Sequence, residues 1–147
     1  LMIECPERYA ERFAKAGASW ISVHPEAPGE PQRALELAAR AGARPAVAIN
    51  PGTPVSAIGP YVGWIEMVLL MSVHPGFGGQ RLMQEVLSKY RRARELAGPK
   101  VLLEIDGGVT RANAAAVRAA GVQVIVAGTA VFGAKDRAKA IRALRGK

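Results

Sequence analysis

Ile65-Glu66-Met67-Val68-Leu69-Leu70-Met71-Ser72-Val73-His74-Pro75-Gly76-Phe77-Gly78-Gly79-Gln80 is the stretch that sets the architecture. Its first part is almost continuously apolar and lacks the in–out alternation of a strand with one wet face. It therefore reads as a strand covered on both sides. Glycines crowd its carboxyl end, and residues 82–96 then carry a helical pattern. Strand, glycine loop and helix make half of a βαβ unit. The same order recurs outward in both directions. Strands are expected at 19–23, 45–49, 101–105 and 122–127, helices at 6–16, 31–41, 110–120 and 134–144, and a short helical turn at 53–58. Pro6 and Pro31 suit first-turn positions, Gly17, Gly42 and Gly121 suit left-handed helix ends, and Thr110 is placed to cap the helix that follows it. Leu1-Met2-Ile3 reads as the tail of one further strand. The alternation predicts a parallel sheet with right-handed crossovers, in a single α/β domain over residues 1–147. An open doubly wound sheet and a (β/α)8 barrel both satisfy it.

Composition narrows the functional classes. Half of the 147 residues are hydrophobic, which permits a sizeable core and excludes a disordered chain. Cys5 is the single cysteine, so no internal disulfide framework exists, and a cytoplasmic location is expected. The apolar runs, such as residues 67–71, are too short to span a bilayer, and no signal-peptide pattern opens the chain, so a soluble protein without a membrane partner is expected. The net charge of +8 raises the question of nucleic acid. The cations sit within helix patterns, as in Lys89-Tyr90-Arg91-Arg92-Ala93-Arg94 and residues 135–147. Aromatics are few and not interleaved with them, so no stacking platform for bases is visible and the charge reads as wet helix faces.

Chemistry-bearing residues gather at one end of every strand. The carboxyl ends carry His24, Asn50, Met71-Ser72-Val73-His74, Asp106 and Gly128-Thr129. The amino ends carry Ser19, Arg44, Glu66, Lys100 and Val122, without glycine loops. In parallel α/β folds the carboxyl ends share one rim, where sites form. Gly76, Phe77, Gly78 and Gly79 would let backbone N–H groups converge on an anion. The segment is neither a Walker loop nor a dinucleotide fingerprint, because no Gly-Lys-Ser/Thr follows and Arg81 occupies the last glycine position. Gly107-Gly108 and Gly128-Thr129 add two more such turns. Asp106 ends an apolar strand with no cation beside it in sequence, and suits a general acid/base or a metal ligand. Glu104 points to the same side of its strand. His24 could touch a substrate or hydrogen-bond within the core, His74 orders the loop, and Met71 packs. No local His or Cys spacing supplies a full metal site.

Ile21-Ser22-Val23-His24-Pro25-Glu26-Ala27, Ala48-Ile49-Asn50-Pro51-Gly52-Thr53-Pro54, residues 71–80, Glu104-Ile105-Asp106-Gly107-Gly108-Val109 and Val126-Ala127-Gly128-Thr129-Ala130-Val131-Phe132 cover nearly the whole chain. In order and spacing they resemble the ribulose-phosphate 3-epimerase family. The resemblance implies a ribulose-phosphate-binding (β/α)8 TIM barrel, here incomplete, with about five complete parallel strands. It implies an isomerase of the pentose phosphate pathway that interconverts D-ribulose 5-phosphate and D-xylulose 5-phosphate by metal-assisted, two-base proton transfer at C3. The cofactor implied is a divalent metal: zinc, iron, manganese or cobalt. Carried over residue by residue, Asp106 is metal ligand, substrate contact and proton donor, while Gly76, Phe77, Gly78, Gly79, Gly107, Gly108, Gly128 and Thr129 bind the substrate phosphate. The front of the family pattern, with its other metal ligands and second acid/base group, has no counterpart here. The chain therefore reads as a carboxyl-terminal fragment, inactive alone, of an enzyme that is a homo-oligomer when intact. An open barrel of this kind is expected to leave apolar strand surface uncovered. A sibling such as an allulose-6-phosphate 3-epimerase, or a non-catalytic phosphate- or nucleic-acid-binding module, are the rival readings.

Overall fold

The computed structural model describes residues 1–147. Strands β1 (Trp20–Val23), β2 (Arg44–Ile49), β3 (Met67–Met71), β4 (Leu102–Asp106) and β5 (Val124–Val126) form one sheet in chain order. Every neighbouring pair is parallel. The helices are α1 (Ala10–Lys15), α2 (Pro31–Arg40), α3 (Lys89–Ala97), α4 (Ala114–Ala119), α5 (Thr129–Phe132) and α6 (Arg137–Arg145), with 3-10 segments at Pro6–Arg8, Val55–Tyr61 and Gln84–Ser88. None of the helices is long and apolar enough to cross a membrane.

Strand register decides between the two architectures. Val23 pairs with Val47, Val47 with Val68 and Val68 with Leu103, and Ile49 pairs with Leu70 and Leu70 with Ile105. These rows belong to one buried cluster with Leu35 and Ala38 of α2, Tyr90 and Ala93 of α3, Val117 of α4 and Leu144 of α6. The alternate side chains Ala48, Leu69, Met71 and Val73 form a second buried cluster that no helix residue joins. A doubly wound sheet needs helices on both faces and a reversal in strand order. Here the helices that bury side chains do so on one face, and the order never reverses. The sheet is a sector of a (β/α)8 barrel, with β1 and β5 as its edges and the helix-free face turned inward.

Several sequence expectations are corrected in detail. Leu1-Met2-Ile3 is not strand; Leu1 lies beside β1, its amino group donating to the Ser22 carbonyl at 2.5 Å. The helix expected at 6–16 is a 3-10 turn and α1, separated at Tyr9, whose φ of −124° is not helical. The helix expected from 82 begins at Gln84, because the Met83 N–H donates to the Ser72 carbonyl at 2.9 Å and holds residues 82–83 extended. Thr110 does not cap α4. Asn113 stands at the cap position, accepting from the Thr110 N–H at 2.7 Å and donating to the Gly108 carbonyl at 3.0 Å. The last helix starts at Arg137 rather than 134, where the Asp136 side chain accepts from the Lys139 N–H at 2.8 Å. Residues 129–132 form the separate α5. The open barrel leaves inner apolar surface uncovered only toward the β5 side: Ala48, Leu69, Met71 and Val73 are buried, whereas Leu102 and Val124 are half-buried and Val126, at the β5 edge, is exposed.

Tyr90 shows how the helical layer is tied to the sheet. Its ring is fully buried and its hydroxyl donates to the Glu104 carbonyl at 2.8 Å. Burial pushes the phenol far above its ordinary pKa, so it stays a neutral donor. Tyr90→Phe keeps the packing and removes the bond. The expected loss is about 1–2 kcal/mol, read as a fall in denaturation midpoint with unchanged m-value.

Candidate active site

Asp106 pairs across the sheet with Met71 on one side and Val126 on the other. Leu103 and Ile105 face the helices, so Glu104 and Asp106 both project from the inner face. Asp106 makes no salt bridge and is half-buried, and burial pushes its carboxyl above the usual range. Glu104 is raised too, by burial first and by the Asp106 charge second. A carboxyl so placed can both accept and return a proton closer to neutral pH than a free one.

The glycines after β4 hold the neighbouring loop against it. A Cβ on Gly107 would stand 2.6 Å from Val73 Cγ2. One on Gly108, whose φ is +62°, would meet the Leu82 nitrogen, with Gln80 O and Arg81 C each at 2.7 Å. Only glycine permits this backbone-on-backbone approach. Ser72 completes the joint, its hydroxyl donating to the carbonyls of Asp106 at 3.0 Å and Gly107 at 2.7 Å. Within residues 76–79, Gly76 and Gly79 have positive φ, and the Gln80 side-chain amide donates to the His74 carbonyl at 2.7 Å and the Phe77 carbonyl at 2.9 Å. Phe77 is exposed, and its side chain packs on no part of the core. Gly128 follows Val126 by two residues as Gly108 follows Asp106, which brings its turn to the same level, at the start of α5 and Thr129. The N–H groups of residues 76–79, 107, 108 and 128 donate to no other group of the chain. All three turns leave adjacent strands with free donors, as an anion cradle requires.

A second polar group occupies the ends of β1 and β2. Glu26 accepts from the Asn50 N–H at 2.9 Å and from the Thr53 hydroxyl. Burial works to raise the Glu26 pKa, but these donors outweigh it and hold the carboxylate below its ordinary value. Lys89 secures the same loop by donating to the Pro51 and Thr53 carbonyls. Sequence reasoning missed the roles of Gln80, Ser72 and Glu26. Each acts through backbone groups of other loops, which no motif spacing encodes.

A metal ion is not accommodated by these residues alone. Asp106 has only Glu104 near it on its strand, and nowhere do three or more His, Cys, Asp or Glu side chains converge as a site.

Residues 1–132 match the Ribulose-phosphate 3 epimerase family. The chain belongs to this family. Ribulose-phosphate 3-epimerase of Bacillus subtilis (strain 168) is 45% identical over 150 residues, covering 99% of this chain and 69% of that protein. The enzyme of the same name from Aquifex aeolicus (strain VF5) is also 45% identical, over 92% of this chain and 63% of its own length. The chain thus spans about two thirds of the epimerases it matches. Among solved structures, a 3-hexulose-6-phosphate synthase superposes with a TM-score of 0.71 at 26% identity, over 99% of this chain and 69% of that one. A ligand complex of KGPDC from Streptococcus mutans gives 0.75 at 16% identity, over 99% and 68%, a likeness of fold.

Two outcomes test this geometry. Gly108→Ala must separate the two loops and adopt an unfavourable φ, so a loss of at least about 2 kcal/mol in chemical denaturation is expected. Glu104 has a raised folded pKa, so its favourable contribution is complete below the unfolded value of about 4.3 and is lost as pH rises through the folded one. Glu104→Gln should therefore raise the melting temperature near pH 7, with the gain shrinking toward pH 4.

Proposed function

We propose that this rim is the phosphate-binding and C3-facing part of an active site that interconverts D-ribulose 5-phosphate and D-xylulose 5-phosphate. The observation that carries the reading is the half-buried Asp106 carboxyl at the foot of turns whose backbone donors are free. The amides of residues 76–79, 107, 108, 128 and 129 take the phosphate dianion. Fixed backbone dipoles do this without an arginine in the cradle. Binding the phosphate there leaves the carbon chain to cross the inner face, with C3 toward Asp106.

Asp106 then moves the proton on one side of C3. An unperturbed aspartate, with a pKa of about 3.9, is a weak base for a carbon acid, and burial in this position narrows the gap. Inversion needs a second group on the opposite side of the carbon. Glu104 cannot be that group, because it rises from the same strand and the same face as Asp106. The divalent metal that the resemblance implies finds one donor in residues 1–147, Asp106, and is not held by them on their own. The second proton-transfer group and the remaining donors belong, in this reading, to sequence outside these residues, in keeping with the greater length of the related epimerases.

The test is epimerisation of D-ribulose 5-phosphate, with D-allulose 6-phosphate as the competing substrate. In a protein that extends these residues to the length of its relatives, Asp106→Asn should lower kcat by about a thousandfold while KM stays within a few-fold. Residues 1–147 alone should give no turnover. Faster turnover of the hexulose phosphate, or full activity of Asp106→Asn, would overturn the assignment.

A further inference from the structure

Two buried polar atoms on the inner face are left without partners: Nδ1 of His24 and Oδ1 of Asn50. Buried polar groups in folded proteins almost always find a hydrogen bond, so an unpaired couple at a ligand-facing rim needs a reason. Ile21 and Val23 belong to the helix-facing core, which puts His24 with Trp20 and Ser22 on the inner face. Val47 and Ile49 do the same for β2, so Asn50 continues the inner line of Ala48. Ile49 pairs with Leu70 and Met71 pairs with Asp106, which sets Asn50 level with Asp106 across Met71. Two strand spacings separate them, about 10 Å. His24 is only 7% exposed and lies one step deeper.

The neighbouring carboxylate does not satisfy the pair. Glu26 Oε1 is engaged by the Asn50 backbone and Thr53, and Oε2 stands 3.6 Å from His24 Nδ1, beyond hydrogen-bond reach. Burial pushes the His24 pKa down against the opposing pull of Glu26, so the imidazole is neutral and offers one donor and one acceptor. A neutral pair beside a carboxylate is a poor site for a phosphate and a good one for a hydroxyl, which both donates and accepts. The free amides, by contrast, leave β3, β4 and β5.

We infer that His24 and Asn50 form the subsite for the hydroxyl-bearing end of the sugar phosphate, remote from its phosphate, with Asn50 Oδ1 accepting from a substrate hydroxyl and His24 Nδ1 bonding the adjoining oxygen. This rests on the function proposed above. It gives the rim two halves: backbone donors for charge on one side, two uncharged side chains for the polyol on the other, and Asp106 level with the second.

The experiment measures binding of D-ribulose 5-phosphate and of inorganic phosphate to the chain and to Asn50→Ala. The variant should bind the ketose phosphate about tenfold more weakly and inorganic phosphate unchanged. Equal losses for both ligands, or none for either, would assign the pair a structural role and overturn the inference. If Asn50→Ala fails to fold, the imidazole ¹⁵N signals of His24 in the unaltered chain decide. They should shift with D-ribulose 5-phosphate and not with inorganic phosphate, and signals indifferent to both, or moved alike by both, overturn it. An unaltered chain that binds neither ligand overturns the functional proposal itself, whereas one that binds the sugar phosphate with His24 unmoved overturns this subsite alone.

Discussion

The contact on which the rim depends is between two stretches of backbone. Gly108 lies so close to residues 80–82 that no side chain fits between them, and Gly107 does the same against Val73. Without that approach the turn after β4 would stand away from the loop after β3. Ser72 and Asn113 reinforce the joint from either side, one by donating to Asp106 and Gly107, the other by holding the Gly108 carbonyl. Backbone strain in the left-handed region is thus spent on bringing two loops together, and glycine keeps that strain small.

Burial does the next part of the work. The inner face of β2 and β3 is packed with Ala48, Leu69, Met71 and Val73, and this dry neighbourhood raises the pKa of Asp106 and Glu104. At β1 and β2 the same low polarity keeps His24 neutral. Removal of water from the concave face is thus the leading cause that moves Asp106 and Glu104 up and His24 down.

Much of this was legible in the order of residues. Apolar runs without alternation, each closed by a polar residue or a glycine turn, announced parallel strands and placed His24, Asn50, Asp106 and the three glycine turns at one end. Helix starts were less legible wherever a side chain or carbonyl from another element intervened. Met83 is held extended by Ser72, and Asn113 displaces Thr110 from the cap because it is tied to Gly108. Such partners are distant in sequence, so local propensity has no means of registering them.

By itself the chain's pattern determined a parallel α/β domain, the rim that carries its chemistry and Asp106 as the acid/base candidate, because periodicity and glycine placement act over a few residues. Only the tertiary structure decided between barrel and doubly wound sheet, since that depends on which face the helices cover. It alone also showed that His24 Nδ1 and Asn50 Oδ1 lack partners, that Gln80 closes the loop it follows, and that Glu104 stands behind Asp106 instead of opposite it. Those facts depend on distances between strands, and a linear sequence carries no distances.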